Sequence, residues 1–285
     1  MLRSLTCHLA WRWTYRRYKR WQGHVPAEHF VDFVGQMSER KFEIGSRPDP
    51  LPARFERASY PPPGESLKWT AVLDAIDAAR NRFVMLDGGA GYGRWLVGAA
   101  FAIRQRSLPL DTLLIGIEAE PTHFTWLRSH FIDSGLDPDH HRLIHGAIGA
   151  ADGEASFMSG KPGETYGQLV VTPDHLQDGF TTIRVPCFSL STILYDIDRV
   201  DLVIFDVQGA EAYTIIQAAD TMNRKVARIN VNTHSEEIEL ELRAFFKDQG
   251  WRCVQDYTLR KKNRTPYGEI PFTDGMQDWV NPQIG

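Results

Sequence analysis

Cysteine is scarce in this chain, and the little present is scattered: Cys7, Cys187 and Cys253 among 285 residues. An odd, widely spaced set without a Cys-x-x-Cys pair argues against a disulfide framework and a cysteine-built zinc site. It fits a reducing, cytoplasmic setting. Also lacking is any apolar run near the ~20 residues needed to cross a bilayer, and no secretory apolar segment follows the N-terminal arginines. Strong net charge is absent too: the formal value of −4 leaves no global footprint for nucleic acid, and no such partner is expected. With 42% hydrophobic residues, the chain can bury one substantial core plus an extension.

Acids are missing locally. None precedes Glu28, while Arg3, Arg12, Arg16, Arg17, Lys19 and Arg20 crowd the first turns. Leu2, Leu5, Leu9 and Trp13 fall on one helical face, and Trp11, Tyr15, Tyr18 and Trp21 add aromatics. Two readings of residues 1–22 stand equally. One is a basic amphipathic helix lying on an anionic membrane surface, a peripheral contact at its cytoplasmic face. The other is a helix packed on the body with its arginines solvated. Prolines 48, 50, 52, 61, 62 and 63 then mark an irregular connection. Residues 1–60 are therefore read as a helical extension and proline-rich linker, and 61–285 as the main domain. Ser66 is the expected N-cap of a helix over 67–79.

The informative stretch is 82–94. Phe83 to Leu86 is a short apolar run, as in a strand buried on both faces of a parallel sheet. It ends in Asp87, followed by glycines at 89, 91 and 93 and a helical run from Trp95. Strand, glycine turn and helix is where a doubly wound sheet binds a nucleotide-like ligand. The dinucleotide fingerprint Gly-x-Gly-x-x-Gly would need a third glycine at 94, where Arg94 stands. A carboxylate at the strand end repels a phosphate and suits a ligand with a cationic amino group, such as the methionine end of S-adenosylmethionine. A nicotinamide-dependent oxidoreductase is disfavoured on both grounds.

A second buried strand over 112–117 ends at Glu118, placed to accept hydrogen bonds from ribose hydroxyls of a nucleoside over the first strand. Glu118 is preferred to Glu120 because it directly follows the apolar run. A third strand is read over 142–149, whose loop at Gly146 borders the adenine position. A further one is read over 181–188, with a short helix from Ser189. Residues 202–205 form another buried strand, ending at Asp206 and leading past Gln208 to a helix over 210–219 that carries Glu211. The next strand, 228–234, ends at His234. A helix over 236–249 follows, then a terminal antiparallel pair over 251–258 and around Trp279.

Asp87-x-Gly89-x-Gly91-x-Gly93, Glu118-x-x-Pro121-x-x-Phe124, Ala147-Ile148-Gly149 before Asp152-Gly153, and Asp206-Val-Gln-Gly-Ala-Glu211 together resemble the FkbM-type S-adenosylmethionine-dependent methyltransferases over residues 66–260. The resemblance implies an α/β class I methyltransferase (Rossmann-like) fold, a seven-stranded, mostly parallel sheet whose last strand is antiparallel. It implies O-methylation, with a sugar hydroxyl in a glycan, polysaccharide or glycolipid as acceptor. The expected S-adenosylmethionine contacts are Asp87, Gly88, Gly89, Gly91, Tyr92 and Gly93, then Glu118 and Ala119, then Gly146, Ala147 and Ile148, and Asp206. Departures also stand out: Ile204 occupies a place where many members have lysine, Gln208 one where many have glutamate, and Asn230 one where an acid is often seen. Leu190-Ser191 replaces a leucine–aspartate pair. They keep open a non-catalytic, cofactor-binding scaffold as the alternative.

A sugar hydroxyl is a poor nucleophile, so methyl transfer calls for alignment and for a base or a metal. Asp206, His234, Gln208 and Glu211 are the catalytic candidates, with His234 or Asp206 as base and Gln208 orienting. Asp206 and Glu211 holding a divalent ion such as Mg2+ is the less favoured reading, and no metal ligands are assigned. Trp251, Tyr257 and Trp279 are candidates for stacking on a sugar ring or for completing the core. The sequence does not fix the oligomeric state.

Overall fold

The structure, a computed structural model, describes residues 14–47, 49–170 and 178–284. In chain order, β1 (Gln22–Val25), β2 (His29–Val31), β3 (Met37–Glu39), a 3-10 turn Arg40–Glu43 and β4 (Arg54–Arg57) precede α1 (Pro63–Ala78). Then come β5 (Arg82–Gly88), α2 (Arg94–Gln105), β6 (Asp111–Glu118), α3 (Pro121–Asp133), β7 (Arg142–His145), β8 (Ala147–Gly149), β9 (Gly153–Ser159) and β10 (Thr181–Ser189). The second half holds α4 (Leu190–Ile193), β11 (Leu202–Phe205), α5 (Glu211–Gln217), α6 (Ala219–Lys225), β12 (Arg228–Thr233) and α7 (Glu236–Asp248). It closes with β13 (Arg252–Tyr257), β14 (Lys262–Thr265), β15 (Gly268–Pro271) and β16 (Gly275–Val280).

Seven strands form the central sheet in the order β13-β16-β12-β11-β5-β6-β7. β16 runs antiparallel to both neighbours, whereas β12, β11, β5, β6 and β7 pair in parallel. This is the α/β class I methyltransferase architecture. The alternation of side chains along each strand splits the apolar runs between two cores. Phe83, Met85, Leu114, Leu202 and Ile204 pack with α1 and α2 on one face. Val84, Leu86, Ile115, Ile117, Val203 and Phe205 pack with α5 and α7 on the other. Each fully buried Leu, Ile or Phe stabilises by roughly 1.5–3 kcal/mol, so both faces of the sheet are well anchored.

Several boundaries differ from the sequence reading. The run 142–149 is not one strand: β7 pairs with β6 in the main sheet, while β8 pairs with β10 in a separate three-stranded sheet with β9. The expected helix over 210–219 is two short helices that meet at Ala218. Ser66 is not an N-cap. Helix α1 starts earlier, with Pro63 in its first turn, where a missing N–H does no harm, and the Ser66 hydroxyl donates back to the Pro61 carbonyl at 2.9 Å.

In the described part of residues 1–60 the strands form two small antiparallel ribbons, β1 with β4 and β2 with β3, in place of the expected helix. Leu2, Leu5, Leu9, Trp11 and Trp13 lie outside the described residues. Tyr15 and Tyr18, aromatics of the segment read equally as membrane-facing or as packed on the body, are buried at 3% and 1% exposure with Phe33 and Trp69. The apolar faces of those rings complete the core beside α1. Trp251, Tyr257 and Trp279 are likewise buried and stack on core partners rather than standing ready for a sugar. Among the described residues, no helix is long and apolar enough to cross a membrane.

A buried ionic cluster ties α1 to the sheet, and a hydrogen bond from Thr14 joins the N-terminal layer to it. Arg228 on β12 meets Asp278 on β16 in a two-pronged pair (2.9 and 2.5 Å), both residues buried. Arg228 also reaches Asp74 on α1 at 3.4 Å, and Asp74 accepts from Thr14 at 3.2 Å. Removing one partner of such a pair strands a buried charge, which costs about 3–5 kcal/mol. Asp278→Ala should lower stability by that order in urea titrations. The double variant Arg228→Met/Asp278→Leu should recover most of it; equal losses in the two would show that packing, not charge, dominates here.

Candidate active site

The parallel strands deliver their C-terminal ends to one edge of the sheet, and a cavity of about 800 Å3 opens there. Asp87 at the end of β5, Glu118 at the end of β6 and Asp206 just past β11 all line it. Gly89, Gly91, Tyr92, Ala119, Gly146, Ala147 and Ile148 line it as well. Gly88 and Gly93 do not. Gly88 is the last residue of β5, and Gly93 is the N-cap of α2, in the left-handed conformation (φ 79°) that opens the helix.

The glycine turn is forced by crowding. A Cβ on Gly89 would stand 2.1 Å from the Asp206 carbonyl oxygen, and its φ of +83° is unfavourable for any other residue. The turn is tied down by Glu118, whose carboxylate accepts from the Gly91 N–H and the Glu120 N–H, both at 2.7 Å. Glu120 acts elsewhere, capping α3 at the His123 N–H (2.8 Å) and accepting from Ser159 (2.9 Å).

Burial dominates the electrostatics. It raises the Asp87 carboxyl to about 8, an effect that Lys68 opposes and the carboxylates of Asp206 and Glu118 reinforce. Burial likewise lifts Glu118 to about 7 against the pull of its backbone donors. Asp87 Oδ2 is sealed from solvent and has no hydrogen-bond partner, so a donor or cation belonging to a ligand would satisfy it. Six carboxylates (Glu43, Glu65, Asp87, Glu118, Glu164 and Asp206) line the cavity against two arginines, Arg47 and Arg94. That balance suits a sulfonium and an ammonium and opposes a pyrophosphate.

Around Asp206, the four catalytic candidates come together. His234 Nδ1 lies 2.8 Å from Glu211 Oε1, and Nε2 lies 3.4 Å from Asp206 Oδ1 without hydrogen-bond alignment. Glu211 is fully buried, and its carboxylate also receives the Val207 and Gly209 N–H groups. With that acceptor on Nδ1–H, the Nε2 lone pair is left unengaged. Burial alone would lower the His234 pKa, but the bond and charge of Glu211, with Asp206 beyond it, raise it overall. Gln208 holds a left-handed conformation (φ 56°) and donates to Asp206 Oδ1 at 3.2 Å; Asn232 donates to Oδ2 at 2.6 Å. Of the four candidates only Asp206 lines the cavity. Asn230 is fully enclosed in β12, away from the lining. Among the described residues, no group of three or more His, Cys, Asp and Glu side chains is arranged to hold a metal ion.

Sequence reasoning missed several residues at and behind the cavity wall. Lys68 on α1 puts its ammonium 3.7 Å from Asp206 Oδ2 and 5.2 Å from the Trp95 ring centroid. A cation therefore stands near Asp206 although Ile204 occupies the place of the commoner lysine. Residues 40–47 and 163–168 form a roof. Gly45 N–H donates to the Gly163 carbonyl at 2.8 Å, Tyr166 Oη to the Phe42 carbonyl at 2.5 Å, and Tyr92 Oη to Glu43 Oε1 at 2.5 Å. His123 stacks on Tyr166 at 4.3 Å between ring centroids. Only the buried helical position of Lys68 carried any signal; the roof is made by pairings between segments far apart in sequence.

The profile of the family described as "Methyltransferase FkbM domain" matches residues 87–279. A Jannaschia sp. (strain CCS1) protein provisionally named a methyltransferase is 27% identical over 212 residues, covering 70% of this chain and 75% of its own length. Among solved structures, FkbM methyltransferase from Methylobacillus flagellatus KT aligns with a TM-score of 0.43 at 12% identity, over 76% of this chain and 55% of that one. Precorrin-6y C5,15-methyltransferase from Geobacter metallireducens GS-15 aligns with a TM-score of 0.42 at 12% identity, over 75% and 86%.

The Asp87 carboxyl generates a test. Its pKa is raised in the fold, so between about 4 and about 8 the native state keeps a proton that the unfolded chain releases, and stability falls as pH rises through that window. Asp87→Asn should therefore flatten the decline in thermal midpoint from pH 5 to pH 8 while abolishing binding of S-adenosylhomocysteine. An unchanged pH slope in the variant would show that Asp87 is not one of the buried groups that titrate in this window.

Proposed function

Because the chain belongs to the FkbM-domain methyltransferase family, we propose that it transfers a methyl group from S-adenosylmethionine to a hydroxyl oxygen of a sugar-containing acceptor. The single observation that carries this reading is the Glu211–His234 pair, whose enclosed and unpartnered Nε2 lies 3.4 Å from Asp206 of the cavity wall. S-adenosylmethionine supplies a methyl on a good leaving group, so the protein has to seat it, align the acceptor and remove one proton.

Each of these three requirements has residues suited to it. The unpartnered Asp87 carboxylate offers an acceptor to the ammonium of the methionine end, and Glu118 offers its remaining lone pairs to ribose hydroxyls. Gly146, Ala147 and Ile148 provide a flat wall for adenine. His234 is the base: Glu211 holds its tautomer and stabilises the imidazolium formed on proton uptake, as a carboxylate does for any histidine base. Asp206 is the weaker candidate, since its carboxylate oxygens already accept from two amides and lie beside the Lys68 ammonium. Its role is to orient the hydroxyl and to balance the charge on His234. Residues 1–22 contacting a membrane where lipid-linked glycans are assembled stays a proposal; of these residues Tyr15 and Tyr18 are not available for it, since both are buried.

Two measurements test the reading. Calorimetric titration should show S-adenosylhomocysteine binding and no NADH binding. Methyl transfer to glycan acceptors should then fall by about 10²–10⁴-fold in His234→Ala, the range for loss of a general base. In Glu211→Gln the acidic limb of kcat should shift to lower pH, because the group that raises the His234 pKa is gone. Cofactor binding without methyl transfer to any hydroxyl acceptor would favour a scaffold. A His234→Ala variant with full turnover would move the base to Asp206.

A further inference from the structure

Helix α1 buries an ammonium where its neighbours bury apolar groups. Lys68 is 9% exposed, flanked by Leu67 and Trp69 at 2% and 0%. Taking a charge out of water is costly unless a counter-charge stands near, so a cation at this position calls for an electrostatic reason. Lys68 does not line the main cavity. Its Nζ lies 3.7 Å from Asp206 Oδ2 and 5.2 Å from the centroid of the Trp95 ring, and both Asp206 and Trp95 do line it. The ammonium is thus one side chain removed from the space where a ligand sits.

Asp87 meets the same charge. Side chains alternate along a strand, and Phe83 and Met85 pack in the core that α1 covers; Asp87, two residues on, points to that face. Ile204 is its registered neighbour on β11 and packs in the same core. Asp206 follows two residues later, its N–H on the Gly88 carbonyl at 2.9 Å. Two carboxylates therefore end adjacent strands beside one ammonium from α1. The charged groups acting on Asp87 are Lys68 from α1, Asp206 after β11 and Glu118 at the end of β6, and of these three only Lys68 favours the anion. Those facing Asp206 are Lys68 and, at 3.4 Å, His234 Nε2. Asp206 has Gln208 and Asn232 as donors besides, whereas Asp87 Oδ2 is enclosed and unpartnered. Loss of the ammonium would therefore fall hardest on Asp87.

Resting on the S-adenosylmethionine reading, we infer that Lys68 is a positioning residue for the cofactor: from behind the wall, its ammonium readies Asp87 to receive, as an anion, the ammonium of the cofactor's amino-acid end. The empty seat keeps a proton on Asp87 at neutral pH, because burial has raised its pKa to about 8. An arriving ammonium supplies the charge and the donor that Oδ2 lacks; the carboxyl ionises, and its proton leaves to solvent. Lys68 lowers the work of that ionisation. A neutral side chain in its place would leave Asp87 protonated to higher pH, so binding at neutral pH would weaken and would release more of a proton.

The test is calorimetric titration of the full chain with S-adenosylhomocysteine at pH 7 and pH 8, in buffers of different ionisation enthalpy, which counts the protons released. 5′-Methylthioadenosine, which lacks the ammonium and its carboxylate, is the control probe. At pH 8 the native chain should release about half a proton per S-adenosylhomocysteine bound, since Asp87 is then half ionised, and none with the control. Lys68→Met should release nearly a whole proton at pH 8 and bind about tenfold more weakly at pH 7, the equivalent of one pKa unit. Its affinity for the control should be unchanged. Lys68→Arg, which keeps the charge, should stay near the native values. If Lys68→Met does not fold, Lys68→Gln reads the same quantities. The inference is overturned if proton release is absent or is unchanged in the neutral variant, if the control loses affinity as much, or if Lys68→Arg behaves like Lys68→Met. Absence of binding by both probes to the native chain would instead remove the cofactor reading, and the inference with it.

Discussion

Three carboxylates that repel one another are held at one edge of the sheet, and the architecture around them follows from the need to tolerate that. β5, β6 and β11 are adjacent and parallel, so Asp87, Glu118 and Asp206 cannot avoid converging. Each is accommodated differently. Glu118 commits its charge to the amides of the glycine turn, Asp206 draws on Lys68, Gln208 and Asn232, and Asp87 is left with burial and a raised pKa. The least satisfied of the three is the one best placed to gain from a cationic ligand. A site that is electrostatically uncomfortable when empty has more to gain on filling, which is how buried charge is turned to recognition.

Strand-level features are readable from the chain because parallel strands buried on both faces need unbroken apolar runs, and 83–86, 112–117 and 202–205 have them. The acids that end those runs are readable for the same reason. The histidine at the end of β12 is readable as a candidate, but its pairing with Glu211 depends on how far β12 and α5 converge, which periodicity does not encode. Where sequence and structure part, tertiary contact has overridden local pattern. The stretch 142–149 is apolar enough for one strand, yet it changes sheets at Gly146, where a Cβ would meet the Pro186 carbonyl oxygen at 2.7 Å. Tyr15 and Tyr18 sit in a basic, aromatic segment that looks interfacial until Phe33 and Trp69 arrive from elsewhere to cover them.

The same reason hides the roof. Residues 40–47 and 163–168 carry no motif, and proline-rich sequence nearby reads as connection. Their role emerges only when Gly45 meets Gly163 and two tyrosine hydroxyls reach back to Phe42 and Glu43. Segments outside the motif-bearing core thus supply the walls that distinguish one ligand from another, as loops on a rigid scaffold commonly do.

Helix α1 gives this division a practical edge. The similarity to the family starts at residue 87, yet α1 and β5 up to Leu86 lie before it. A chain cut at that boundary would lose most of β5, an interior strand of the sheet, and the helix that packs in the same core as Ile204 and Leu202. What similarity delimits is therefore not an autonomous folding unit: the trimmed piece would present a broad greasy face and two unpaired strand edges, the makings of an aggregate.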